Sequence, residues 1–237
     1  LMLICFVMGI LAGVPIAFTL GMSAMVFFIC DPSLPFVFFS QQVAAGVDHF
    51  VLLAIPFFLL AGAAMEINGM STRLVELIVR GMGRFRGGLN MTTVLSMAFF
   101  SGISGSKLAD VAAVGGVLMP AVRRAKQDGE EAAGVFAASA VMAETIPPCV
   151  NLIVMGFVAN ISIGALFIAG LVPAACLLVL LMVAANRFGG KINVSEAYPE
   201  LRPRTQLYLG AAVGLVMIFM IGRGVMMGIA TSTEISA

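Results

Sequence analysis

Charge is what this sequence has least of. Of 237 residues, 13 are Lys or Arg and 12 are Asp or Glu, so that 11% are charged and 61% hydrophobic, whereas a soluble domain carries roughly a quarter charged residues. With a mean hydropathy of +1.09, that shortage excludes an ordinary water-soluble domain and makes the lipid bilayer the solvent. A net charge of +1 leaves no basic surplus to neutralise phosphates, which excludes nucleic acid as a partner. Histidine is limited to His49, and Cys5, Cys30, Cys149 and Cys176 stand far apart with no CxxC spacing. A tetrahedral zinc site and a bis-histidine haem are therefore excluded, no transition metal is expected, and the thiols read as small inert hydrophobes. Leu1 opens within an apolar run, with no charged n-region and no small-residue cleavage site, which reads as a trimmed span and not a signal peptide.

What is present is a series of long uncharged stretches between short charged loops. A helix needs about 20 residues at 1.5 Å each to cross the hydrocarbon. Residues 1–30 hold no charge and as one helix would measure about 45 Å, so Gly13, Pro15 and Gly21 are expected to kink, tilt or break this first element. Further spans are expected at 49–65, with Pro56 inside it, at 162–186 and at 205–222, and 223–237 begins the next segment. Residues 31–48 hold Asp31 and Asp48 but no Lys or Arg. By contrast Arg73, Arg80, Arg84 and Arg86 stand in 66–86, Arg123, Arg124 and Lys126 in 121–131, and Arg187, Lys191, Arg202 and Arg204 in 187–204. Because basic residues concentrate in cytoplasmic loops, the first loop is expected outside and the other three inside. Within 66–86, Leu74, Leu77 and Ile78 share one helix face, as in an interfacial amphipathic helix or a short soluble linker helix.

The apolar segment 87–122 is bracketed by two basic loops, and a single crossing would put its ends on opposite sides. The sequence therefore predicts a re-entrant hairpin, with one arm at about 90–100, a non-helical tip SGISGS at 101–106, and a return arm from Lys107 to about Met119, ending at Pro120. Two closely packed full helices are the alternative. Irregular backbone inside hydrocarbon must be buried in protein or line a watery cavity, so the tip is a place for ligands. Ser101, Ser104 and Ser106 offer hydroxyl oxygens, Gly102 and Gly105 permit a tight reversal, and the N–H groups opening the return arm favour an anion. A second break is predicted within a broken helix over 132–158, at ETIPPCVN (144–151), because Pro147 and Pro148 supply no N–H. Carbonyls from Ala143 to Ile146 then lose helical partners, and such carbonyls ligate sodium in discontinuous transporter helices. A structural proline kink without function is the plain alternative.

Lys107, Asp110 and Glu144 are ionisable groups in or beside these breaks, and a charge at membrane depth is costly unless paired or hydrated. Lys107 and Glu144 are expected to form an ion pair joining hairpin to broken helix. Alternatively, Lys107 meets an anionic substrate, or Glu144 a cation, directly. The candidate cation ligands are Ser101, Gly102, Ser104 and Gly105 at the tip with Glu144, Thr145, Ile146 and Pro147 at the break. Ser106, Lys107, Pro148 and Asn151 make up the candidate substrate side.

Four stretches carry a family resemblance: FVLLAIPFFLLAGAAM at 50–65, FFSGISGSKLADVAAVGGVLMP at 99–120, ETIPPCVNLIVMGFVANISIGALFIAG at 144–170 and GIATSTEISA at 228–237. They resemble the N-terminal half of the large (DctM-like) permease subunit of tripartite ATP-independent periplasmic (TRAP) transporters. The resemblance implies an all-α, multi-pass protein of the bacterial inner membrane, one repeat of an inverted-repeat elevator transporter, and not an enzyme. It implies import of a carboxylate-bearing organic anion, such as a dicarboxylate, sugar acid or keto acid, with no cofactor and with sodium as coupling ion. The implied partners are a periplasmic solute-binding protein and a small membrane subunit, and the opposing half of the site would come from a second repeat, so this stretch alone is not expected to transport. Two other readings stay open: a sodium-coupled anion transporter of related fold that works without a binding protein, and a structural membrane subunit packed through GxxxG pairs such as Gly9/Gly13 and Gly210/Gly214. The chain departs from the family pattern at Ala63, where an acidic residue often follows LAG, and at Cys149 and Asn151, where Ser and a further Pro are frequent. Lys107 and Glu144 replace residues that are uncharged in many members.

Overall fold

A computed structural model describes residues 1–31, 35–82 and 85–190, with isolated helical positions at 208, 212, 216, 219, 220, 223 and 224. The expected segments 205–222 and 223–237, most of the loop 187–204, Arg84, and the Gly210/Gly214 pair otherwise lie outside the described residues. Within them the protein is all-helical, as composition and periodicity imply. The helices are α1 (Met2–Leu11), α2 (Ile16–Cys30), α3 (Val37–Val47), α4 (Ala54–Ile67), α5 (Met70–Met82), α6 (Gly88–Ser104), α7 (Lys107–Arg124), α8 (Gly129–Ala140), α9 (Val150–Ala159) and α10 (Ile163–Phe188). Short 3-10 turns occupy Phe50–Leu53 and Val141–Glu144. The chain divides into two units, Leu1–Phe50 and Val51–Ala237.

In the first unit the uncharged run 1–30 is two helices that pack on each other. A turn through Ala12 to Pro15 separates them, and Thr19 Oγ1 donates back to the Val14 and Pro15 carbonyls at 3.2 and 3.1 Å. Gly9 lies against Thr19, where a β-carbon on Gly9 would come within 2.5 Å of the Thr19 methyl. At 10 and 15 residues, α1 and α2 are about 15 and 22 Å long, each shorter than the roughly 30 Å of hydrocarbon. Phe28 and Phe39 join α2 to α3 edge to face, ring centroids 5.9 Å apart.

The second unit is built around α6, which packs against α4, α5, α7, α8 and α10. Its core includes Val94, Met97 and Phe100 of α6, Val114 and Leu118 of α7, and Phe136 of α8. The apolar face of α5 is turned onto this core, with Leu74, Val75, Ile78 and Val79 all buried. The stripe read from sequence as that of an interfacial amphipathic helix or a short soluble linker helix meets protein here, packed into the core with α6 and α7. A smaller cluster of Ala54, Phe58, Ile153 and Phe167 ties α4 to α9 and α10.

Helices α6 and α7 form an antiparallel hairpin whose break is smaller than the sequence suggests. Helix continues through Ser101 to Ser104, and only Gly105 and Ser106 leave it. Ser101 Oγ donates to the Met97 carbonyl one turn back at 2.7 Å, a bond that satisfies the serine inside a helix. The return arm runs through Pro120 to Arg124, with Ala121 and Val122 buried beyond the proline. The arms are therefore 17 and 18 residues, each about 25 Å, and not about a dozen. Near the turn, Ser101 Oγ lies 3.1 Å from Asp110 Oδ2. At the other end, Gln127 Nε2 donates to Asn90 Oδ1, so the hairpin is entered and left at one level.

Two levels organise the unit, a base and a tip. At the base, Asn90 Nδ2 donates to Glu131 Oε1, the Gly87 N–H donates to the Gly190 carbonyl at 2.9 Å, and Arg86 Nε to the Gly189 carbonyl at 3.4 Å. The run α8 to Glu144 climbs from base to tip, and α10 descends beside it. Among the described residues, α10 is the one helix long and apolar enough by itself to cross a bilayer.

Gly87 makes the base possible. Its φ of +67° suits glycine, and a β-carbon there would collide with the Ala185 carbonyl. A Gly87→Ala substitution should destabilise the protein by about 1–3 kcal/mol, measured as a fall in thermal midpoint in detergent. Gly116→Ala, at a helical glycine where an added methyl would meet nothing within 4 Å, should be neutral or stabilising by up to about 1 kcal/mol.

Candidate functional site

The site begins with missing donors. In a continuous helix the amides of residues 147 and 148 would serve the carbonyls of Ala143 and Glu144, and proline has no amide hydrogen. The chain responds by tightening: Val141–Glu144 is 3-10, and the Thr145 and Ile146 N–H groups both donate to the Met142 carbonyl, at 3.0 and 2.9 Å. Thr145 Oγ1 donates to the Val141 carbonyl at 3.3 Å. The Pro147–Pro148 peptide bond is cis, and helix resumes at Val150.

Cys149 closes the break. Its buried thiol donates to the Glu144 carbonyl at 3.2 Å and accepts from the Leu152 N–H at 3.4 Å. One side chain thereby caps the C-terminal end of one half-helix and the N-terminal end of the next. A residue read from sequence as an inert hydrophobe is instead the link between the two halves. Its signal in the sequence is its place directly after two prolines, where the Glu144 carbonyl lacks a donor.

The hairpin turn sits on this break. Gly105 has φ +58°, and a β-carbon on it would lie 2.7 Å from the Pro148 carbonyl oxygen and 3.3 Å from Cys149 Cα. Backbone meets backbone there, which only glycine allows. From the other side Gly170 of α10 approaches, with a β-carbon position 3.0 Å from the Thr145 carbonyl oxygen. Lys107 Nζ and Glu144 Oε1 are 2.8 Å apart, with side chains 42% and 45% exposed.

The sequence-derived residues are distributed as follows. Gly105, Lys107, Glu144 and Pro148 come together at the contact of turn and break. Thr145, Ile146 and Pro147 line the break half-buried. Ser106 stands at the N-cap position of α7 in extended conformation, and Asn151 is exposed in the first turn of α9. Ser101 and Gly102 are buried within α6, and the Ser101 hydroxyl engages Met97 and Asp110 between the two arms. The Ser104 side chain lies outside what is described. Sequence reasoning missed the Ser101–Asp110 contact, although the two stand almost symmetrically about the turn. It also missed Gly170 and the Asn90–Gln127–Glu131 cluster, for which no local signal exists.

Substitutions at two positions test this construction. Gly105→Ala should lower stability by about 1–3 kcal/mol, since strain at positive φ adds to the collision with Pro148. Cys149→Ala, which leaves the Glu144 carbonyl and the Leu152 amide unpartnered, should cost about 1–3 kcal/mol, and Cys149→Ser should recover most of it. Thermal unfolding in detergent reads both.

The family described as "Tripartite ATP-independent periplasmic transporter, DctM component" matches residues 3–237. The sialic acid TRAP transporter large permease protein of Vibrio cholerae is 38% identical over 73% of this chain and 40% of its own length. The C4-dicarboxylate TRAP transporter large permease protein of the same organism is 31% identical over 96% and 51%. The 2,3-diketo-L-gulonate TRAP transporter large permease protein of Escherichia coli is 36% identical over 76% and 42%. The chain thus spans about half the length, or less, of these relatives. With its match running from residue 3 to residue 237, the chain belongs to the DctM family of TRAP transporter large permeases, a family of integral membrane proteins.

Proposed function

We propose that this chain forms one repeat of the membrane domain of a secondary transporter in the bacterial inner membrane, importing a carboxylate-bearing organic anion together with sodium. The observation that carries this reading is the seating of the Gly105 turn on the Pro148 carbonyl. Two helix interruptions meet there, one opening a helix toward the contact and the other ending one. An N-terminal helix end favours an anion and a C-terminal end a cation, so one small region serves both ions of a symport. Cation ligands in this reading are backbone oxygens at Ser101, Gly102, Ser104 and Gly105, and Glu144 with the Thr145, Ile146 and Pro147 carbonyls. Ser106, Lys107, Pro148 and Asn151 face the solute.

Helix α10 supplies a ruler for depth. Gly170, which touches the break, is seven residues from the start of α10 at Ile163, or about 10 Å inward. If α10 spans the bilayer, turn and break lie within the hydrocarbon and the hairpin is re-entrant, its base at the basic side with Arg86, Arg123 and Arg124. Irregular backbone at that depth is tolerated where it lines a cavity. The opposing wall would come from a second repeat, and an elevator motion of the pair would carry the site across.

Sialic acid, C4-dicarboxylates and diketogulonate, the solutes named for the relatives, all bear carboxylates, which supports that substrate class. A periplasmic solute-binding protein and a small membrane subunit complete the transporter. Specificity among carboxylates then lies largely with the binding protein.

In proteoliposomes of the complete transporter, uptake of one of these three anions should require both an inward sodium gradient and the binding protein. Uptake undiminished when potassium replaces sodium would refute the coupling, and uptake without the binding protein would favour a related transporter that acts alone. Single cysteines at positions 86 and 123 should label from the same side of the membrane; labelling from opposite sides rules out re-entry.

A further inference from the structure

We propose that the Lys107–Glu144 ion pair is an internal stand-in for the transported ions, exchanged on loading: a carboxylate of the solute takes over Lys107 while a sodium ion takes over Glu144. This rests on the sodium-coupled reading above and gives the same site its coupling device.

Three observations carry it. The bridge spans the contact between turn and break, with Nζ and Oε1 2.8 Å apart, so breaking or making it alters the junction of the two interruptions. Its side chains are 42% and 45% exposed, unlike Asp110, which is fully buried. The side left open in this chain is the one that a watery cavity against the second repeat would adjoin, and ions that enter the cavity compete for each member.

The third observation is the placement of the charges. Lys107 is the first residue of α7, at the end of a helix that disfavours a cation. Glu144 is the last residue of the helical run from Gly129, at the end that disfavours an anion. A bridge that served only to staple turn to break would be stronger with its charges interchanged. As built, each charge stands where the surrounding backbone attracts its counter-ion: amide hydrogens beside Lys107 attract a carboxylate, and carbonyls beside Glu144 attract a cation. Exchange also conserves charge. The bridge sums to zero, and so does the loaded site with one carboxylate and one sodium ion added, whereas either ligand alone leaves a unit charge. Each ligand frees the group that the other needs, which is a reciprocal coupling between them.

The test is a sodium titration of the purified complete transporter by thermal shift, with potassium chloride holding ionic strength constant. Lys107→Met removes the competitor for Glu144 and should tighten apparent sodium affinity by about two- to fivefold, the range expected for a half-exposed pair. Glu144→Gln removes the ligand and should weaken it at least as much. A purely structural bridge predicts shifts in one direction for both variants, or none, and either result overturns the exchange while a sodium-specific response of the unmodified protein still upholds the transport reading. The interchanged variant, Lys107→Glu with Glu144→Lys, retains a bridge to support folding and should lose the sodium response; if it keeps that response, Glu144 is not the exchanging group. An unmodified protein that responds equally to sodium and potassium refutes the sodium reading and the exchange with it.

Discussion

Pro147 and Pro148 withhold two amide hydrogens at one level of the fold, and the neighbouring side chains and backbone are arranged around that deficit. In water it would be trivial, because solvent would hydrogen-bond the Ala143 and Glu144 carbonyls. In a bilayer the protein must answer it from within or expose it to a cavity. The Cys149 thiol answers for Glu144, and the 3-10 tightening gathers the Thr145 and Ile146 amides onto one carbonyl. Gly105 and Gly170 then let two further stretches of backbone come up against the same segment without side chains between them. The concentration of oxygens that results is a property of two adjacent prolines more than of any acidic cluster.

Much of this was legible in the sequence because the decisive signals are local. Scarcity of charge named the solvent, two prolines in succession located one interruption, and a glycine-serine run between basic loops located the other. The expected pairing of Lys107 with Glu144 followed from the cost of isolated charge at depth, and the structure brings those groups to 2.8 Å. The extent of the turn was not legible. Serine carries two opposed tendencies, ending a helix or bonding back into it, and Ser101 takes the second through Met97. The sequence pattern of α5 was right about amphipathicity and silent about what covers the apolar face, because periodicity reports that a face is buried and not against what. Contacts such as Gly170 on Thr145 depend on how distant helices meet, for which a single sequence holds no record.

Base and tip use different physics. The base is knitted by neutral and charged hydrogen bonds among Asn90, Gln127 and Glu131 and by backbone contacts of Gly87 with Gly190. The tip relies on glycine-permitted close approach and one half-exposed ion pair. Between them lies an apolar core of Met97, Val114 and Leu118. In lipid such a core coheres by close packing and not by exclusion of water, and it holds base and tip apart.

The glycine contacts of α10 fix its register. It is pinned by bare backbone at two heights, where Gly170 faces the Thr145 carbonyl and where Gly189 and Ala185 abut Gly87. Slipping α10 by one turn, about 5.4 Å, would bring Leu166 or Ala174 opposite Thr145 and drive a side chain into a carbonyl oxygen. Piston-like sliding of α10 along the hairpin base and the broken helix is therefore barred, since a shift would have to open both contacts at once.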